Sequence, residues 1–177
     1  MERIKWIKQV FLALVAMLIL GCDNEKQETS TEIYRKYSRE NNGVFFSVPP
    51  SIATVLLEEE HKGTQELKKV LEDVNTLSFL IISNGSSIKE NSHFFTINTK
   101  LQNINFVDLA LVNNGNEMVK LMVHHEDDVV SEMVVLVSNF DAFFCISLKG
   151  VMEISKITNL AQPENLAALS YLEKFNR

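Results

Sequence analysis

The stretch FVDLALVNNGNEMVKLMVHHEDDVVSEMVVLVSNFDAFFCISLK, residues 106–149, decides the fold. Its apolar residues recur with a period of two, the spacing that places successive side chains on opposite sides of an extended chain. Four segments carry the pattern: Phe106–Val112, Met118–His124, Val129–Val137 and Phe143–Lys149. Between them lie Asn113-Asn114-Gly115-Asn116, His125-Glu126-Asp127-Asp128 and Ser138-Asn139-Phe140-Asp141. Polar connections this short join neighbouring antiparallel strands, because a parallel pair needs a crossover of a dozen residues or so. The four segments therefore predict a meander.

Upstream, Thr76–Ser83 is apolar on both faces, through Leu77, Phe79, Leu80, Ile81 and Ile82, and ends at the turn signal Asn84-Gly85. A strand with two apolar faces belongs in the middle of a sheet. Phe94, Ile97, Leu101 and Ile104 then have helical spacing and predict a crossover helix over residues 92–104. Further back, Thr64 is a good N-cap for a helix with an apolar stripe of Leu67, Val70, Leu71 and Val74. Val44–Val48 is a short extended lead-in, Pro49-Pro50 forces a turn, and Ile52, Val55 and Leu56 start a helix that stops near Gly63. Downstream, Ile154, Ile157 and Leu160 mark one helix, and Pro163 opens another with Leu166, Leu169, Leu172 and Phe175 inward. The expected fold is α+β. Its sheet has about five mostly antiparallel strands, a meander of four following a crossover helix, with helices packed on it. Residues 44–177 make one domain.

The N-terminus reads as an export signal. Arg3, Lys5 and Lys8 precede the apolar run Val10–Leu20. That run is shorter than the roughly 20 residues a helix needs to cross a bilayer, and it suits the core of a signal peptide. It ends in Leu18-Ile19-Leu20-Gly21-Cys22, a lipobox: an apolar residue three before the cysteine, a small residue next to it, and a thiol to carry lipid. Residues 1–21 are expected to be removed and Cys22 acylated. Two or more acyl chains anchor a protein stably without spanning the membrane. The polar stretch that follows, with Ile33, Tyr34 and Tyr37 its only packing side chains, reads as a tether over residues 22–43 with at most a helical turn at Ile33–Arg39. As a flexible coil it places the domain about 25 Å from the membrane.

Charge and cysteine use narrow the function. The chain carries 17 Lys and Arg against 23 Asp and Glu, and loss of residues 1–21 removes three cations and one acid, leaving a more acidic domain. Nucleic acid binding needs clustered cations, so it is not expected. With Cys22 acylated, Cys145 is the one remaining thiol and no internal disulfide is possible. Cys145 sits in the apolar run Ala142–Ile146 and reads as a buried core thiol rather than a nucleophile.

The sharpest candidate for chemistry is His124-His125-Glu126-Asp127-Asp128, where His124, His125, Asp127 and Asp128 are the types of ligand that hold zinc or manganese. On a strand His124 and His125 point to opposite faces, and the simpler reading is a polar turn in which Asp127 and Asp128 supply turn chemistry. There is no Gly-x-Ser-x-Gly elbow, no His-Glu-x-x-His helix and no glycine-rich phosphate loop. No catalytic residue and no cofactor are predicted. The acids Glu58-Glu59-Glu60 and Glu72-Asp73 read as solvated helix faces and ends. If helices cover only one face of the sheet, the Phe, Met and Val residues on the other form an apolar patch of the type that marks an interface.

A family resemblance rests on the helix, apolar strand and meander followed by Ser147-Leu148-Lys149-Gly150-Val151-Met152-Glu153-Ile154-Ser155-Lys156-Ile157, with Leu136-Val137-Ser138 before it. This pattern resembles small envelope lipoproteins of the Bacteroidetes group catalogued as domain of unknown function 4252, in which a strand ends in Ser/Thr-Leu-x-Gly. The resemblance covers about residues 44–162 and implies a single anchored domain. It implies no catalytic residue.

The expected function is that of a lipid-anchored component of the cell envelope, at the inner or outer membrane through Cys22. It is non-catalytic, and binds another envelope protein or a second copy of itself. The alternatives are a metal-dependent or cryptic enzyme using the His124–Asp128 turn, and a carrier for a small apolar ligand held between sheet and helices.

Overall fold

The computed structural model describes residues 28–56, 63–83, 92–113, 115, 117–162 and 165. The expected signal peptide, Cys22, the Asn84-Gly85 turn and the helix expected from Pro163 through Leu166, Leu169, Leu172 and Phe175 lie outside the described residues. The elements in chain order are α1 (Ser30–Glu40), β1 (Val44–Val48), α2 (Pro50–Leu56), α3 (Thr64–Leu71), β2 (Val74–Ser83) and α4 (Ser92–Gln102). They continue with β3 (Val107–Asn113), β4 (Met118–Glu126), β5 (Val129–Ser138), β6 (Ala142–Glu153) and α5 (Ile154–Leu160). Among the described residues no helix is long and apolar enough to cross a membrane.

The six strands form one sheet in the order β1-β2-β6-β5-β4-β3, with every pair antiparallel. The meander β3-β4-β5-β6 is where the period-two pattern places it. Four antiparallel steps separate β2 from β3, so the two run in the same direction, and α4 carries the chain across the sheet between them. The strand beyond the expected five is β1: Val44–Val48 is not a mere lead-in but pairs with β2 from Val44↔Ile81 to Val48↔Leu77. That pairing makes β2 an interior strand, as its two apolar faces require.

Alternation along β2 builds two cores. Leu77, Phe79 and Ile81 face one side and pack with Leu121, Val135, Ile146 and Leu148 beneath Ala53 of α2, Leu67, Val70 and Leu71 of α3, and Ile157 and Leu160 of α5. Leu80 and Ile82 face the other with Met122, Val134, Leu136, Phe143 and Cys145, beneath α1 and α4. The sheet is therefore a middle layer with helices on both sides, and among the described residues neither face is left without helices over it. Gly63, at φ 86°, takes the N-cap position of α3, so Thr64 is its first helical residue rather than its cap.

The largest difference from the sequence reading is α1. The stretch expected as tether to residue 43 holds an eleven-residue helix with a complete capping box: Glu32 N–H donates to the Thr29 hydroxyl and Thr29 N–H donates to the Glu32 carboxylate. Ile33, Tyr34, Tyr37 and Ser38 are buried. These residues recur at i, i+1, i+4 and i+5, a narrow apolar stripe on an otherwise charged helix. The polarity of the stretch as a whole conceals it. The described fold thus already includes Thr29–Glu40, upstream of Val44.

Candidate functional site

Beneath α1 a carboxylate is buried in the sheet. Glu132 of β5 shares a face with Val134 and Leu136 and is 6% exposed. Burial of a carboxylate is costly unless its lone pairs are filled, and here four donors fill them. Ser147 Oγ donates to Oε1 at 2.6 Å, Ser30 Oγ to Oε2 at 2.6 Å and Tyr34 OH to Oε1 at 3.3 Å. Lys149 Nζ lies 3.4 Å from Oε2 and donates to Thr31 Oγ1 at 2.6 Å. Burial, reinforced by the nearby Cys145 and the negative charge of Glu132, pushes the Tyr34 hydroxyl well above its ordinary value, so it stays a donor. The Cys145 thiol beside it is pushed up by burial first and by the Glu132 charge second, which removes it as a nucleophile. The cluster holds α1 to β5 and β6. With both carboxylate oxygens of Glu132 engaged, the residue clasps α1 to the sheet.

Two further polar contacts hold helices on the same face. Lys120 of β4, 8% exposed, donates to Asp108 Oδ2 at 2.7 Å and to Asn98 Oδ1 at 2.8 Å, tying α4 to β3 and β4. Tyr37 OH lies 2.9 Å from His93 Nδ1, joining α1 to α4. His93 Nε2 is buried without a partner, and burial lowers the imidazole pKa. Sequence reading passed over Glu132 and Lys120. The signal that finds them is parity: each is a lone charge at an inward position of an alternating strand.

The residues of the expected metal turn are not brought together. His124 is half-buried against Phe106, with ring centroids 5.4 Å apart, and its Nδ1 lies 2.9 Å from Ser131 Oγ. His125 is exposed and pairs through Nδ1 with the Asp127 carbonyl at 3.1 Å, while Asp127 takes a left-handed turn at φ 50°. The register also shifts between His124 and His125, where Ser131 of β5 is left without an opposite residue. Among the described residues no three of His, Cys, Asp and Glu are placed to hold a metal ion. Cys22, the expected lipid carrier, lies outside the described residues.

The open surface is the β3 edge. Its inner side pairs with β4, and among the described residues no strand pairs with its outer side. Six of its seven residues are exposed, among them Val107, Leu109, Leu111 and Val112. A bulge at Asp108–Ala110 leaves residues 110–113 in regular register. Phe95 of α4, 55% exposed, extends this surface. It shares a helix face with Asn98 and Gln102 at i, i+3 and i+7, and those two contact Lys120 and Asp108, so Phe95 lies on the β3 side of α4. The opposite edge, β1, has five residues and is followed at once by Pro49. Natural sheets blunt exposed edges with lysine, proline or brevity. On β3 the bulge is the one such device, beside four apolar side chains.

No curated protein and no solved structure matches the chain. A family model described as Domain of unknown function (DUF4252) matches residues 34–160, from within α1 to the end of α5, and by that match the chain belongs to the DUF4252 family.

Proposed function

We propose that this protein is a non-catalytic binding module of the cell envelope, anchored by lipid at Cys22 and docking a protein partner at the β3 edge. The observation that carries the reading is the outer side of β3, which no described strand pairs and which Val107, Leu109, Leu111 and Val112 flank. An exposed edge takes an added strand through main-chain hydrogen bonds, and the alternate side chains supply specificity. The buried polar side chains favour this over catalysis: Glu132 is saturated by protein donors, and the Lys120 ammonium is engaged by Asp108 and Asn98. The anchor reading rests on the Leu18–Cys22 lipobox. Because α1 begins at Ser30, only seven residues of sequence lie between Cys22 and the first helix.

The test is photo-crosslinking in cells from position 111 of the full-length chain, with Cys22→Ala as the unanchored control. A discrete adduct lost in the control supports an anchored module that binds through β3. Background alone from position 111, or an adduct indifferent to the anchor, counts against it.

A further inference from the structure

The occupant of the β3 edge has a chemistry the strand itself specifies. The one ionisable residue on β3 is Asp108, and Lys120 neutralises it at 2.7 Å. The chain as a whole carries a net charge of −6, so two copies repel generally, yet the β3 edge brings no uncompensated charge to a seam. An acidic partner gains nothing there, and a basic one finds no free carboxylate on the strand. What fits is an uncharged, apolar, extended segment, and β3 is such a segment.

We propose that β3 pairs antiparallel with β3 of a second copy about a two-fold axis, which joins the two sheets into one. The inference rests on β3 being the docking edge. Every pairing within the sheet is already antiparallel, and an antiparallel pair of identical strands is the arrangement a two-fold axis generates. The regular segment 110–113 sets the register. Pairing centred on Leu111 places Leu111 opposite its symmetry mate on the α4 side, where Phe95 borders it, and places Val112 opposite Ala110 on the other side. A strand pair of this length falls at or below the lower end of stable interfaces, about 1,200 Å². The dimer is therefore weak between freely diffusing copies and is promoted where anchors confine both to one membrane, since confinement raises effective concentration.

The experiment keeps the full-length chain in its membrane, with a photo-crosslinking residue at position 111 and, separately, at position 44 on the opposite edge. The expected product from position 111 has twice the mass of the chain, with linkage peptides falling in residues 107–113 or at Phe95 of the second copy. Position 44 is expected to give no such product. Leu111→Lys and Val112→Lys, which project from opposite faces of the strand, should each weaken dimerisation of the detergent-purified chain by about tenfold or more in analytical ultracentrifugation. Val44→Lys should leave it unchanged. Adducts from position 111 to other proteins only would overturn self-pairing while leaving a binding module. Dimers that survive both lysine variants would overturn the β3 seam. No adduct of any kind from position 111 would overturn both the seam and the proposed docking edge.

Discussion

Ser147 Oγ and Glu132 Oε1 lie 2.6 Å apart across the β5–β6 pair, and through the same carboxylate Ser30 Oγ is held at 2.6 Å from α1. One buried side chain therefore joins two central strands to the helix that leads out of the fold toward the expected anchor. A carboxylate in this position is a choice against a fully apolar contact, which would hold a helix at least as well. Its consequence is directional: hydroxyl donors admit one seating of α1, where leucines would tolerate several.

Glu132→Ala should accordingly cost about 3–5 kcal/mol, because it strands the Ser30, Ser147 and Tyr34 hydroxyls in a closed space. Glu132→Gln should cost less, since the amide keeps one acceptor. Urea denaturation of the three proteins measures the order. Hydrogen exchange supplies the site: α1 amides should lose protection before those of β5, and uniform loss across the molecule would contradict the clasp.

His93 predicts a dependence on pH. Its partner Tyr37 reaches it from α1, and the acid whose charge acts on Tyr37 is Glu40, also on α1. In the unfolded chain the imidazole titrates near its ordinary 6.5, and in the fold burial holds it lower. Between those two values the unfolded chain binds more protons, so this contribution is whole above about pH 6.5 and declines as pH falls below it, levelling once the folded value is passed. The urea midpoint should drop between pH 7.5 and 5.5, and His93→Phe should flatten the drop. An identical slope in the variant would show that the acid sensitivity comes from elsewhere.

The sheet was legible from sequence because its strands are long, apolar and alternating, with connections too short for anything but a meander. Such patterns survive whatever packs around them. β1 was not legible: five residues with Phe45 and Phe46 adjacent show no parity, and pairing with β2 is a long-range choice. α1 was obscured by its own surface, where Glu, Lys and Arg outnumber Ile33, Tyr34 and Tyr37. The His124–Asp128 turn displays its charge in the sequence and Glu132 does not, since sequence shows which residues are reactive but not which are enclosed. The Ser147-Leu148-Lys149-Gly150 motif carried more structural meaning than its residues declare. Ser147 and Lys149 both reach Glu132, and Gly150 has a steric reason of its own.

That reason yields a further prediction. Gly150 lies where β6 crosses the irregular start of β2, and a Cβ built on it would fall on the carbonyl oxygen of Asp73. The same carbonyl accepts a hydrogen bond from Val151 N–H at 3.1 Å, so it cannot rotate aside without losing a partner. Gly150→Ala should cost about 1–3 kcal/mol as an overpacked site, even though alanine is the smallest side chain available. The thermal midpoint measures it, and a neutral result would mean that β2 can slide past β6 at Val74.

Cys145 gives a prediction that also tests the anchor. The thiol is buried, and burial together with the Glu132 charge keeps it protonated far above the pH at which free cysteine ionises. A thiol-specific reagent at neutral pH should leave it unmodified in the folded protein, with any slow reaction following the unfolding rate. In denaturant the count is decided by Cys22, because the chain has two cysteines in all. A processed and acylated chain should give one titratable thiol, and Cys145→Ala should then give none. Two thiols from membrane-extracted protein would leave Cys22 unacylated and remove the lipid from the proposed function.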